Sequence, residues 1–138
     1  MCASFRRTAR ALTQLYEEAM RPLGLRATQL TILQVLERVG EVSQRRLGDM
    51  LAMDSTSLTR TLAIMRRAGW LSEKRGEDRR ERRIQLSKAG AVKLSRALPL
   101  WEKVQSRLRR KLGKQQWESL LQFTHHVTKI AKAKGGSL

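Results

Sequence analysis

The run Ser43-Gln44-Arg45-Arg46-Leu47-Gly48-Asp49-Met50-Leu51-Ala52-Met53-Asp54-Ser55-Thr56-Ser57-Leu58-Thr59-Arg60 contains two helix starts eleven residues apart. A serine or aspartate just ahead of a helix offers its side-chain oxygen to one of the unpaired N–H groups of the first turn. Ser43 is therefore predicted to cap a short helix over Gln44 to Leu51. After a brief Ala52-Met53 turn, Asp54 is predicted to cap a longer helix running to Ala68, with Gly69 as its C-terminal stop. Two capped helices joined by a few residues make a helix-turn-helix signature.

Upstream of this pair, Leu30, Ile32, Leu33, Val35, Leu36 and Val39 crowd too much of a helix circumference for a surface element. They predict a core helix with Thr28 as its N-cap and Gly40 at its end. Before that, Phe5, Ala9, Leu12, Leu15, Tyr16, Ala19 and Met20 recur at helical spacing until Pro22 and Gly24 interrupt them, which predicts a first helix from Ser4 to Met20. Downstream, residues 70–75 and 82–87 read as two short strands around a charged tip, a β-hairpin. Helical periodicity returns from Lys88 through Leu94, Leu98, Trp101, Leu108 and Leu112. Past Gly113 it continues through Trp117, Leu120, Leu121, Thr124, Val127 and Ile130. Pro99 removes a backbone donor inside this pattern and predicts a kink or two shorter helices. Residues 134–138 are predicted to be disordered.

At 138 residues the chain fits one domain with a sizeable core. Its 29 Lys and Arg against 12 Asp and Glu leave a formal charge of +17, which calls for a polyanionic partner. Aromatic residues make up only 4% of the chain, too few for a base-stacking platform for single strands. The positive charge is concentrated. Between Arg60 and Arg83 nine basic residues face four acidic ones. Each cation that neutralises a phosphate releases counterions, so this cluster predicts strong, salt-sensitive binding to duplex DNA. Sequence reading needs side chains on base edges. The start of the longer helix offers short hydroxyls at Ser55, Thr56, Ser57 and Thr59 and a guanidinium at Arg60 that can grip a guanine bidentately. Ser43 and Gln44 at the start of the preceding helix, and Arg66, Arg79, Arg80 and Arg82 along the helix and hairpin, complete the candidate DNA contacts. An arginine at the hairpin tip suits a narrow minor groove. Asp78 would repel phosphate, so it is assigned to structuring the tip by a bidentate ion pair to an arginine.

Leu47-Gly48, Ser57-Leu58-Thr59-Arg60, Gly69-Trp70-Leu71, Asp78-Arg79-Arg80 and Leu86-Ser87 together resemble the multiple-antibiotic-resistance regulator (MarR) family. The resemblance spans nearly the whole chain. Its wing pattern, Asp-x-Arg and then Leu-Thr after five residues, is met by Asp78, Arg80 and Leu86, while Ser87 replaces the threonine and keeps a hydroxyl cap. The fold it implies is mainly α with a small β-hairpin wing: a winged helix-turn-helix with N- and C-terminal dimerisation helices. Residues 1–138 would form one domain, with 28–88 as the DNA-binding lobe and 1–24 and 89–134 as the dimerisation helices. It further implies a cytoplasmic transcription regulator, a homodimer and repressor on a pseudo-palindromic operator, relieved by a small-molecule or oxidant signal. The apolar stripes of the terminal helices point the same way, because a domain this small can hardly cover them alone.

Cys2, with Tyr16 ahead of Leu23-Gly24-Leu25, resembles the peroxide-sensing branch of that family, in which an N-terminal cysteine is oxidised and a tyrosine hydrogen-bonds it. Ala3 and Arg6 stand where that branch has aromatic residues. Arg6, Arg7 and the amino terminus around Cys2 would favour oxidation of its thiolate. The effector crevice the resemblance implies would draw on Leu12, Tyr16, Arg26, Met50 and Met65. A single cysteine excludes an internal disulfide and any multi-cysteine zinc site, and the adjacent His125 and His126 cannot act as i, i+4 metal ligands. No nucleophile–base constellation, glycine-rich phosphate loop or carboxylate pair is present, so neither enzyme activity nor a cofactor is expected. No stretch reaches the roughly 18 apolar residues of a membrane span. Two other readings stay open. One is an architectural protein that coats DNA with little base preference. The other is an interaction protein whose basic segment 103–114 lies on anionic membrane.

Overall fold

The computed structural model describes residues 1–78 and 80–133. The chain runs α1 (Cys2–Met20), a 3-10 turn (Arg21–Leu23), α2 (Ala27–Val39), β1 (Val42–Ser43), α3 (Gln44–Leu51), α4 (Ser55–Arg67), β2 (Leu71–Arg75), β3 (Arg82–Leu86), α5 (Lys88–Leu112) and α6 (Lys114–Ala133). It divides into two compact units, Met1–Trp101 and Glu102–Leu138. Among the described residues no helix is long and apolar enough to cross a membrane.

The first unit is built around α2. Leu30, Ile32, Leu33 and Leu36 are all buried, as their spread around the helix requires. Met20, Leu47, Leu58, Leu62, Met65, Ile84, Leu94 and Ala97 join them in one apolar cluster, so every element of the unit contributes to the core. α2 begins earlier than the sequence suggests. Arg26 is the extended N-cap residue, and its N–H donates to Oε1 of Gln29 at 2.9 Å. The cap thus comes from inside the helix, and Thr28 lies in the first turn instead of ahead of it.

The hairpin predicted from alternation is β2 and β3, paired antiparallel with Leu71 opposite Leu86 and Arg75 opposite Arg82. A third strand, absent from the sequence reading, completes the sheet in the order β1-β3-β2. Val42 pairs with Ile84 and Ser43 with Arg83. Two residues carry no periodicity, so nothing local distinguishes β1 from a loop. Its effect is nonetheless direct: Ser43 is at once a strand residue and the N-cap of α3, which ties the helix-turn-helix to the wing.

α5 is one continuous helix despite Pro99. The pyrrolidine removes a single N–H, and both Pro99 and Ser95, whose carbonyl that N–H would have met, are exposed, so water can serve the orphaned oxygen. Of the two outcomes expected at Pro99, a kink or a split into two shorter helices, the split does not occur. At its N-terminus α5 lies against the turn that leaves α4. The Ser87 hydroxyl accepts from Gly90 N–H at 3.0 Å and donates to the Gly69 carbonyl at 2.5 Å, while Ser87 N–H bonds the Trp70 carbonyl at 3.1 Å. A Cβ on Gly90 would fall inside contact distance of the Trp70 carbonyl oxygen. Lys93, one turn on, donates to the Leu23 carbonyl at 2.5 Å and lies 5.0 Å from the Trp70 ring centre.

In the second unit α6 has no buried residue. Leu120, Leu121, Phe123 and Ile130 are exposed, and Trp117, Thr124 and Val127 are half-buried. The guanidinium of Arg109 stacks over Trp117 at 5.6 Å across the α5–α6 turn, where Gly113 takes a positive φ of 80°. The expected disorder of the tail concerns residues outside those described.

Candidate nucleic-acid interface

Both predicted caps are in place. Ser43 Oγ accepts from Arg46 N–H at 3.3 Å, and Asp54 Oδ1 from Ser57 N–H at 2.8 Å. That second bond, reinforced by the Ser57 hydroxyl, holds the Asp54 carboxyl below its ordinary pKa. Because the folded-state value is depressed, the ionised cap stabilises α4 above the ordinary aspartate range and loses this contribution as pH falls through the folded value. Acid titration followed by amide exchange at Ser57 should show the start of α4 loosening in that window. In the Asp54→Asn variant, whose amide oxygen caps without titrating, the acid-dependent step should be gone.

Between the two caps α3 and α4 come close together. A Cβ on Gly48 would lie 3.3 Å from Leu58 Cδ2, so a small residue is needed there. Ala52 turns the chain with a positive φ of 52°. Gln44 Nε2 donates to Thr59 Oγ1 at 2.8 Å, a side-chain bond linking the two helices at the surface. With Leu58 and Leu62 buried, Ser55, Thr56, Ser57, Thr59 and Arg60 all stand exposed on the outer side of the first turns of α4. Gln44 and Thr59 thus position each other, whereas Ser55, Thr56 and Arg60 have no side-chain hydrogen bond or ion pair among the described residues. Ser43 is occupied in capping.

The wing tip is closed by Gly76 N–H to the Glu81 carbonyl at 2.8 Å and Glu81 N–H to the Asp78 carbonyl at 2.9 Å. Asp78 structures the tip by a different bond from the one expected: its Oδ1 accepts the backbone N–H of Arg80 at 3.1 Å, and among the described residues it forms no ion pair with an arginine. A carboxylate two residues before an N–H reaches it at almost no entropic cost, which a long arginine side chain cannot match. The Arg80 side chain is left exposed at the tip. Arg79 lies outside the described residues.

Arg66 also departs from its expected role. Its guanidinium is half-buried in an ion pair with Glu73 of β2, and Arg82 of β3 reaches the same carboxylate at 3.4 Å. Arg66 therefore fastens α4 to the wing, while the Arg82 side chain stays largely exposed. Glu73 escaped the sequence reading because one acid among nine nearby cations reads as solvated. Only the fold shows it between two of them. Glu73→Gln should cost about 1 kcal/mol in chemical denaturation and free two cations, raising affinity for scrambled duplex while lowering preference for the target.

With this geometry established, comparison places the chain among known proteins. The family model described as MarR family matches residues 23–84. The transcriptional regulator MOSR of M. tuberculosis, solved in complex with DNA, is 34% identical, with 96% of each chain covered and a TM-score of 0.87. The chain belongs to the MarR family. A curated relative, the uncharacterized HTH-type transcriptional regulator YwoH of Bacillus subtilis, is 29% identical over 86 residues, 62% of this chain and 63% of its own length. Wild-type MarR from E. coli shares the fold at 20% identity and a TM-score of 0.73, over 92% of this chain and 95% of its own.

The remaining MarR-type expectations fare less evenly. The five residues assigned to an effector crevice differ in exposure and element. Met65 is fully buried in the core, Met50 is exposed, and Leu12 and Tyr16 are half-buried on α1. Arg26 pairs with Glu17 at 3.0 Å and lines a shallow cleft with Arg21, Gly24 and Leu25, which none of the other four lines. A cleft does open within the helix-turn-helix itself, between Gln44, Arg45, Gly48, Asp49, Met53, Ser55 and Leu58. Cys2 is exposed at the start of α1. Tyr16 stands fourteen residues further along the same helix, about 21 Å by helical rise, so it cannot bond the thiol of its own chain. Among the described residues no three His, Cys, Asp or Glu side chains cluster as metal ligands.

Proposed function

We propose that this MarR-family protein is a sequence-specific, duplex-DNA-binding transcription regulator that works in the cytoplasm as a homodimer and represses from a pseudo-palindromic operator. The observation that carries the reading is the start of α4, where a capped helix locked to α3 leaves Ser55, Thr56 and Arg60 exposed and uncommitted beside a basic wing. Short hydroxyls and one guanidinium on a pre-ordered helix are suited to base edges in a major groove, with Arg80 and Arg82 supplying contacts from the wing. The related MOSR structure holds DNA, which favours the same partner here.

The homodimer is supported by α6, which has no buried residue and leaves Leu120, Leu121 and Ile130 exposed. A second copy would bury them and would bring two recognition helices to half-sites about 10 base pairs apart. In this reading residues 1–138 act as one domain, with 28–88 as the DNA-binding lobe and residues 1–24 and 89–134 as the dimer-forming helices. Relief of repression by a small molecule or an oxidant completes the scheme.

Binding to the protein's own upstream DNA and to a scrambled duplex across a salt series tests the proposal. The expected result is a preference of about 10³ or more at matched salt, with two chains per target duplex in sedimentation. Equal affinity for both duplexes would favour the architectural reading, which the charge of +17 otherwise supports.

A further inference from the structure

The second unit carries more positive charge than a dimer interface can use. Between Glu102 and Ala133 there are eight basic residues and two acidic ones. On α5, Lys103, Arg107, Arg110 and Lys111 fall at i, i+4, i+7 and i+8, so they form one stripe over about 12 Å of helix. All four are exposed, and none has an ion pair or side-chain hydrogen bond among the described residues. The nearby Glu102 forms no ion pair with them among the described residues; its Oε1 accepts from Ser106 Oγ at 2.9 Å. Arg109, off the stripe, is occupied over Trp117. Four uncompensated cations on one helix face repel one another and are tolerated only where solvent or an anion screens them. This face is therefore unsuited to burial against a second copy, unlike the apolar side of α6.

We infer that this stripe is a second duplex-DNA surface, separate from the helix-turn-helix and wing, which holds another segment of DNA by its phosphates. A duplex carries one negative charge per about 1.7 Å of axis, so several phosphates face a stripe of this length. An anionic membrane fits less well. A helix lying on lipid inserts its apolar edge, and here that edge is occupied: Val104 is buried and Leu108 half-buried. The stripe contains no aromatic side chain, which disfavours single strands. It reads no sequence and adds only salt-sensitive affinity.

The test uses the full-length chain in which Arg60 and Arg80 are replaced by Ala, so that the proposed reading face is disabled. Duplex binding is measured across a salt series, before and after adding Lys103→Gln, Arg107→Gln, Arg110→Gln and Lys111→Gln. Residual duplex binding should survive the first two changes and fall at least tenfold with the four glutamines, with the slope of log affinity against log salt reduced by about 3 to 4. The pair Lys103→Gln and Arg107→Gln alone should give about half that change in slope, which separates loss of charge from loss of fold. In the otherwise wild-type chain, the four glutamines should abolish capture of a second, labelled duplex by protein already bound to an immobilised one. An unchanged slope, or undiminished capture, overturns the inference. So does flotation with anionic vesicles that depends on the stripe when duplex capture does not. If the Arg60 and Arg80 replacements leave target preference intact, the reading of α4 fails instead, and the stripe is still judged by its own slope.

Discussion

Arg60→Ala is expected to weaken binding to the target duplex by about 2 kcal/mol, roughly thirtyfold, while binding to scrambled duplex changes by only a few fold. Arg60 is the only guanidinium on the first two turns of α4, and it stands exposed on the side opposite Leu58 and Leu62. It has no acidic partner among the described residues, so an anionic or guanine contact would not have to displace one. Its removal exposes no core and unpairs no buried group, and thermal stability should be unchanged. Arg82→Ala is the natural contrast. A guanidinium on the flank of the wing serves phosphates, so its loss should weaken both duplexes alike. Competition between target and scrambled duplex at one salt concentration distinguishes the two patterns. Equal weakening by Arg60→Ala would show that this residue holds backbone, not bases.

Gly90→Ala should have the largest effect on the fold for the least chemistry. One added methyl group would meet the carbonyl oxygen of Trp70 and lie 3.0 Å from its carbon, and both belong to backbone that cannot swing aside. Either the first turn of α5 moves or the Trp70 peptide does. The Trp70 carbonyl already accepts Ser87 N–H, so either movement breaks the cap that starts α5. An overpacked contact of this kind costs about 3 kcal/mol, visible as a melting temperature lower by about 10 °C. Ala at the neighbouring exposed position 91 is already tolerated, so helix propensity does not explain such a loss. A melting temperature within 2 °C or so of wild type would mean that the α4–α5 turn is slack.

What the sequence disclosed, and what it withheld, follows from the range of each interaction. The caps at Ser43 and Asp54 act over three residues, and both appear where the residues alone put them. The stop at Gly69, with its φ of 77°, is equally local. β1 leaves no local trace because its strand partners among the described residues, Ile84 and Arg83, lie some forty residues away. The ion pair of Arg66 is hidden for the same reason: its charge is plain in the sequence, but the carboxylate that pairs with it sits on another element. Met65 belongs to the apolar spacing of α4 and could have been placed in the core from that alone, but the expected effector crevice drew it to the surface. At Asp78 the charged neighbours suggest an ion pair, while the bond the described residues show is the local one to the Arg80 N–H, two residues on.

The hydroxyl of Ser87 has a consequence for the order in which the chain assembles. Its bond to Gly69 closes a loop of only 18 residues, and in doing so it joins the end of α4, both wing strands and the first turn of α5. The contact between Lys93 and Leu23 spans 70 residues and costs about 1 kcal/mol more in closure entropy. Wing, helix-turn-helix exit and helix start can therefore form as one early piece, around contacts short in sequence, and the 3-10 turn that follows α1 docks afterwards. The segment proposed to meet DNA would then be folded before Lys93 reaches Leu23.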